Sequence, residues 1–149
     1  NTRALGIDNA SRVTMPYQPA FSVSSDGGSA SSGFTIIGST AQNVSVVTNV
    51  GSHFATSTGR FTAPVAGNYF FSGFANFSTT SGGPAIAFRK NGTTAISQNN
   101  YAYSVAYNGA AVTCIANLAV NDYVHLECNH YNNVTSTIYT SAVCGFLIG

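Results

Sequence analysis

The chain of 149 residues is long enough for one domain whose hydrophobic core needs no disulfide or metal. Charged residues make up 6% of it, against about 25% in an average soluble domain, and the net charge is +1. Nucleic acids and anionic membranes are bound by clustered basic residues, which five lysines and arginines cannot supply. No apolar run approaches the roughly 18 residues that cross a membrane, so we expect neither nucleic-acid binding nor membrane insertion.

The pattern predicts a lead-in segment at 1–18 and a head domain at 19–149. The lead-in has two short alternating pieces, at 5–7 and 13–15, and Pro16 then interrupts any regular interior strand. A two-stranded piece of this length is not stable by itself, so we expect it to pack on the head or on partner chains.

Alternating apolar and polar residues in the head predict short strands separated by turn residues. The predicted strands are 19–23, 34–37, 44–50, 60–63, 68–78, 85–90, 110–118, 123–129 and 138–148. Loops are predicted at 24–33, 51–59 and 97–109, and tight turns at Asn91-Gly92 and Asn121-Asp122. No helical period persists along the chain. The pattern therefore predicts an all-β antiparallel sandwich or barrel.

The aromatic strand that begins at Asn68 has two different faces. Alternation places a core face on Tyr69, Phe71, Gly73, Ala75 and Phe77. The opposite face carries Phe70, Ser72, Phe74 and Asn76. This second row is too apolar for plain solvent, which predicts that one subunit is not the complete object.

Four stretches of the chain, in order, resemble one known family. They are 48–71 with the corner Ala63-Pro64-Val65-Ala66-Gly67, then 88–92, 118–126 and 143–148. Over residues 19–149 the chain resembles the globular head of complement component one, q subcomponent, and the related tumour necrosis factor superfamily. The resemblance implies a ten-stranded antiparallel jelly-roll sandwich that assembles as a compact homotrimer and serves adhesion. A shorter stretch, 7–16, resembles the segment before head domains in virion appendage proteins of aquatic phages.

Catalytic and metal-binding patterns have little support. The acidic residues Asp8, Asp26, Asp122 and Glu127 form no pair close in sequence, and no Gly-x-Ser-x-Gly elbow occurs, so we expect no enzyme and no cofactor. His125 and Glu127 have the spacing of two zinc ligands, but we interpret them as ordinary residues of an outward face. Calcium occurs in some relatives of the family, yet the shortage of carboxylates argues against a comparable site.

The three cysteines cannot all pair within one chain. Cys114 and Cys128 alternate with apolar residues, so we interpret them as buried free thiols that act as small hydrophobes. A disulfide between Cys128 and Cys144 is the alternative, provided that their strands are neighbours.

Two segments rich in tyrosine and amide side chains form the candidate receptor-binding site. Its residues are Asn99, Asn100, Tyr101, Tyr103, His130, Tyr131 and Asn132. Tyrosine offers a flat apolar face with a polar tip, and amides offer paired donors and acceptors, which suits sugars or protein surfaces. Packing of some tyrosines across a trimer seam is the alternative. If the family's strand order holds, both segments lie at the end of the head opposite the chain entry.

The leading hypothesis is a trimeric adhesive head of a virion fibre or appendage, at the virion surface or otherwise extracellular. It would bind a cell-surface glycan or protein receptor, and its lead-in would contact other virion structural proteins. One alternative is a structural capsid or tail decoration module that holds its neighbours together. Another is a secreted complement-like lectin.

Overall fold

A computed structural model describes residues 5–7, 9–11, 13–30, 34–78, 84–100, 108–130 and 135–149. These residues form fourteen strands and no helix. The strands are β1 (Gly6–Ile7), β2 (Val13–Thr14), β3 (Ala20–Asp26), β4 (Ser29–Ala30), β5 (Thr35–Ile36), β6 (Asn43–Val50), β7 (Phe54–Ala55), β8 (Arg60–Thr62), β9 (Gly67–Ser78), β10 (Pro84–Lys90), β11 (Thr94–Asn100), β12 (Asn108–Leu118), β13 (Tyr123–His130) and β14 (Ser136–Leu147).

Two antiparallel sheets enclose the hydrophobic core. The β9 sheet has the strand order β12-β9-β14-β3-β6, with β4 also paired to β14. The β13 sheet has the order β11-β10-β13-β8-β7, with β5 also paired to β13. β1 and β2 form a separate two-stranded sheet. The all-β, jelly-roll-like sandwich expected from the sequence is confirmed. Among the described residues, nine strands have three or more residues, and the other five have two residues each.

The prediction of a loop at 24–33 was wrong for residues 24–26, which continue β3, and for Ser29–Ala30, which form β4; residues 31–33 lie outside the described part of the chain. Ser25 points inward and is 6% exposed. Its hydroxyl donates to Gln42 Oε1 at 3.0 Å and lies 2.7 Å from the hydroxyl of Ser141. A buried hydroxyl is tolerated when its hydrogen bonds are made, so the serine-rich composition did not end the strand.

The loop predicted at 51–59 is likewise interrupted, by β7. The side chain of Asn49 brackets Phe54: its Nδ2 donates to the Phe54 carbonyl at 2.9 Å, and its Oδ1 accepts from the Phe54 N–H at 3.0 Å. Phe54 stacks on Phe21 with ring centroids 4.7 Å apart. A side-chain amide thus substitutes for a ladder partner and holds a two-residue strand in place.

The two faces of β9 are confirmed. Tyr69, Phe71, Ala75 and Phe77 are fully buried, whereas Phe74 on the opposite face is 40% exposed. The centre of the core is a group of rings in which Phe61 lies 5.1 Å from Phe21, 5.4 Å from Tyr69 and 5.8 Å from Phe71, measured between centroids. Such offset and edge contacts are the favoured geometries of aromatic pairs.

We expect Tyr69→Ala to lower the free energy of unfolding by about 3–5 kcal/mol, because it empties a site in this ring group. The Tyr69 hydroxyl donates to the Val65 carbonyl at 2.8 Å and thereby holds the corner before β9. Tyr69→Phe keeps the ring and loses that bond, so it should cost only about 1 kcal/mol. Urea unfolding of the two variants checks this, and equal losses would contradict it.

The predicted turns Asn91-Gly92 and Asn121-Asp122 are confirmed and bind each other. Asn91, Gly92 and Asn121 have φ values of 53°, 77° and 69°. Asn91 Nδ2 donates to Asp122 Oδ1 at 2.8 Å. The pKa of Asp122 is lowered to about 2, mainly by this bond and then by the contacts with Lys90 Nζ and the Ala119 N–H. Two turns that are distant in sequence therefore form one connected end of the sandwich.

The chain enters and leaves the sandwich at this same end. The Leu147 N–H donates to the Pro19 carbonyl at 3.0 Å, and the Asn68 N–H donates to the Gly149 carbonyl at 2.8 Å. We call this the proximal end, and the opposite end, where β9 ends at Ser78, the distal end.

A disulfide between Cys128 and Cys144 is excluded by the sheet arrangement, because β13 and β14 lie in different sheets. All three cysteines are free thiols. Cys128 is buried as predicted, and burial raises its pKa to about 12. Cys114 is only half-buried, and the partial burial raises its pKa to about 11. Neither thiol is poised to react as a thiolate.

Candidate functional site

Most of the predicted receptor-binding residues lie outside the described part of the chain. These are Tyr101, Tyr103, Tyr131 and Asn132; of His130 only the backbone, at the end of β13, is described. Asn99 and Asn100 were predicted in a loop, but they are the last residues of β11. Asn99 Nδ2 donates to the Ala111 carbonyl at 3.0 Å, and Asn100 Oδ1 accepts from Gln98 Nε2 at 2.7 Å. Both amides are thus engaged within the domain.

The strand ends that flank 101–107 and 131–134 are brought together at the distal end. Asn100 pairs with Ala85, and Pro84 pairs with His130, so β11 and β13 end beside the start of β10. In the other sheet, Asn108 and Ile138 both pair with Phe77, near the end of β9. Both tyrosine and amide segments are therefore joined to the same end of the sandwich.

A second surface of interest is the outer face of the β9 sheet. Ile115, Phe70 and Phe146 are neighbours across three strands. Ile115 is 66% exposed and Phe146 is 45% exposed, and the rings of Phe70 and Phe146 lie 5.4 Å apart. Among the described residues of this face, Asp26 alone is charged. A contiguous apolar surface of this kind is uncommon on a soluble monomer.

The outer face of the β13 sheet is different, because it carries a buried group of charges. His125 and Glu127 are each 5% exposed, which corrects their interpretation as ordinary surface residues. Glu127 Oε1 accepts from Arg89 Nε, and Glu127 Oε2 lies 3.3 Å from His125 Nε2. Arg60 lies with its guanidinium 4.4 Å from the centre of the Tyr123 ring.

Alternation correctly places His125 on the outer side of its strand, but it does not show what covers the ring. Arg60 on β8 and Arg89 on β10 both pair with His125, one on each side. Long arginine side chains can cover their neighbours with the aliphatic stem. The burial of His125 between two arginines could have been predicted only if the strand order were known, because these three residues are far apart in the chain.

The protonation state of His125 follows from its contacts. The Glu127 carboxylate can only accept, so His125 Nε2 donates to it, and Nδ1 carries a proton only if the ring is charged. His125 Nδ1 is buried and has no hydrogen-bond partner among the described residues. Burial, partly offset by Glu127, lowers the pKa of His125 below its ordinary value. The imidazole is therefore neutral at pH 7.

We expect the domain to lose stability as the pH falls below about 6.5, the ordinary histidine pKa, because the unfolded His125 takes up a proton that the folded one refuses. The facing charges are those of Arg60 and Arg89, which oppose protonation, and Glu127, which favours it. Urea unfolding at about pH 7.5 and about pH 5.5 should show the loss. His125→Gln should reduce it, and an equal loss in that variant would assign it to other groups.

The part of the chain that the structure describes contains no group of three His, Cys, Asp or Glu side chains that could hold a metal ion. The described residues also contain no helix long and apolar enough to cross a membrane.

The fold and these surfaces can be compared with known proteins. A family model described as the C1q domain matches residues 20–148. The chain belongs to the C1q domain family. C1q and tumour-necrosis-factor-like domains are generally binding modules and not enzymes, they form homotrimers, and they are typically extracellular or secreted.

Solved structures share the fold of this C1q domain. The globular domain of zebrafish complement 1qA protein is 22% identical with a TM-score of 0.63, covering 89% of this chain and 98% of that one. The PRD1 vertex protein P5 is 15% identical with a TM-score of 0.61, covering 89% and 99%. Eiger TNF from S. frugiperda is 9% identical with a TM-score of 0.61, covering 89% and 94%. None of the curated protein sequences matches this chain significantly.

Proposed function

We propose that this C1q domain is the homotrimeric recognition head of a virion fibre or appendage, and that it binds a cell-surface glycan or protein receptor through its distal end. It performs no catalysis. The observation that carries the proposal is the apolar, nearly uncharged outer face of the β9 sheet, with Ile115, Phe74 and Phe146 exposed. Two further copies of the chain would cover this face, since homologous domains form homotrimers.

The distal end is the recognition surface because two segments rich in tyrosine and amides are joined to it, in a chain with very few charges. Assembly around an axis would present three copies of Tyr101, Tyr103 and Tyr131 on one rigid head. A single sugar contact is weak, often about millimolar, and linking three can raise avidity by ~10²–10⁴ without any new contact.

The proximal end is the attachment side. In the lead-in, Leu5, Ile7 and Val13 are 61%, 71% and 66% exposed, so this segment offers apolar side chains to other virion structural proteins. Gln18 Nε2 donates to the Leu147 carbonyl and ties the lead-in to the head at 19–149. The virion context is supported by the fold shared with a protein named as a PRD1 vertex protein and by the resemblance of 7–16 to phage appendage segments.

A structural decoration module is the second candidate, favoured by the same exposed lead-in. The double substitution Tyr101→Ala and Tyr131→Ala separates the two. Under the recognition proposal the trimer survives and attachment to cells falls by at least about tenfold, since the avidity of three sites is lost. Attachment should also respond little to salt, because a neutral site lacks screened charge pairs.

The matched control for that test is Tyr17→Ala. Tyr17 is 59% exposed near the proximal end, so in an assay with the purified trimer, which needs no contact with other virion proteins, the same chemical change there should leave attachment to cells intact. Normal attachment by the Tyr101 and Tyr131 variant, with the trimer present, would overturn the recognition proposal in favour of the decoration module. Attachment lost equally in the control would show that the assay reports general damage.

A further inference from the structure

A small cleft opens on the outer side of the β13 sheet, in its distal half. It has a volume of about 100 Å³ and is lined by Phe34, Ala85, Ala87, Arg89, Glu127 and Asn129, among others. One water occupies about 30 Å³ of liquid, so the space suits a ligand group of roughly three or four non-hydrogen atoms.

The floor of the cleft is apolar. Ala85 and Ala87 alternate along β10 and are each 5% exposed, so two methyl groups face the space where any longer side chain would fill it. At the rim, Phe34 is 61% exposed, and the Arg89 guanidinium lies 5.1 Å from the centre of its ring. A methyl group on the floor and a flat ring against Phe34 are the apolar contacts that this shape favours.

Asn129 lines the cleft and carries a carbonyl oxygen that needs a donor. Asn129 Oδ1 is buried and has no hydrogen-bond partner among the described residues. Because an acceptor buried without a donor is costly, and the described residues supply none here, a ligand N–H or O–H would be favourable. A carboxylate or sulfate carries no such proton, which argues against an anionic ligand.

Arg89, which also lines the cleft, offers N–H donors and therefore favours an acceptor on the ligand. Its Nε donates to Glu127 and its Nη1 donates to the Thr93 carbonyl at 3.2 Å. A guanidinium has five N–H donors, so further donors of Arg89 are available to a ligand carbonyl. Because Glu127 neutralises Arg89, the cleft has no strong attraction for an anion.

We propose that this cleft binds the acetamido group of an N-acetylated sugar. The methyl group packs on Ala85 and Ala87, the N–H donates to Asn129 Oδ1, the carbonyl accepts from Arg89, and the sugar ring lies against Phe34. The inference rests on the proposed function, since it names the class of glycan that the distal half of the head recognises. Among the described residues that line the cleft, none belongs to the candidate receptor-binding set.

The test is a titration of the intact chain with N-acetylglucosamine and N-acetylgalactosamine, in which binding is measured by saturation-transfer NMR. Glucose and galactose, which lack the acetamido group, are the matched control sugars. We expect binding in the millimolar range, typical of a single sugar contact, with the strongest saturation on the acetyl methyl group and none for the parent hexoses. Equal signals from the N-acetylated and parent sugars would overturn the acetamido assignment.

Two variants locate the site. Ala87→Leu fills the cleft and Asn129→Ala removes the acceptor, and each should weaken binding at least about tenfold while the circular dichroism spectrum is unchanged. Ala55→Leu is the control, because Ala55 is an exposed residue of β7, at the opposite edge of the same sheet and outside the cleft. Undiminished binding by Ala87→Leu would place the sugar elsewhere and overturn the proposal.

The outcome is independent of the receptor-binding segments. If no N-acetylated sugar binds the wild type, this inference fails while the proposed function stands, because that function is tested by attachment of the Tyr101 and Tyr131 variant. If that variant attaches normally, the proposed function fails while the sugar titration is unaffected.

Discussion

Gly145→Ala is expected to destabilise the domain by about 3 kcal/mol, at the upper end of the cost of overpacking a core. A Cβ at Gly145 would lie 2.5 Å from Phe71 Cδ1 and 2.9 Å from Phe21 Cε1. Both rings belong to the buried ring group, where Phe61 holds them on a third side. Neither ring can move away without disturbing the stacking, so the loss should appear in full in urea or thermal unfolding.

Gly109→Ala is the matched control, because it adds the same methyl group to another strand of the same sheet. The nearest atom to its Cβ would be Asn76 Oδ1 at 2.5 Å, the end of an exposed and adjustable side chain. We expect a loss below about 1 kcal/mol, the worth of the Asn76 bond to Thr140. Equal losses at the two glycines would show that the contact of β14 with the ring group is wrong.

Phe74→Lys is expected to abolish assembly. In the isolated chain Phe74 is 40% exposed, so it contributes little to the core, but in the proposed trimer it lies on the covered face. Burying an ammonium on this apolar face would cost several kcal/mol per subunit, enough to convert a trimer into monomers at about micromolar concentration. Light scattering should give the trimer mass for the wild type and the monomer mass for the variant, with the circular dichroism spectrum retained.

Val120→Lys is the control for assembly, since Val120 is 53% exposed beside the proximal turn and not on the β9 sheet. This variant should remain trimeric. A monomeric wild type would remove the trimer from the proposed function, and a trimeric Phe74→Lys would move the interface to another surface.

The sequence alone determined the features that depend on local chemistry. Alternation identified the buried row of Tyr69, Phe71 and Phe77, because side-chain direction in a strand follows from a period of two wherever the strand pairs. Asn91-Gly92 and Asn121-Asp122 marked turns because these residues accept positive φ at low cost. The order of four motifs indicated the family, and the C1q domain model confirmed it.

Only the tertiary structure decided features that depend on which strands become neighbours. His125 is buried because Arg60 and Arg89 come from two other strands to flank it, and Arg89 also donates to Glu127. Cys128 and Cys144 cannot pair because β13 and β14 belong to different sheets.

The candidate binding surfaces divide in the same way. Composition pointed to the tyrosine and amide segments, whereas Asn99 and Asn100 lie in β11 because pairing with β10 extends that strand further than their polar character suggests. The cleft between Phe34, Ala87 and Asn129 joins three parts of the chain that are remote in sequence. Alternation specifies the side on which a residue lies but not its cross-strand neighbours, and those neighbours, set by the non-local order of strands, determine burial and the shape of a site.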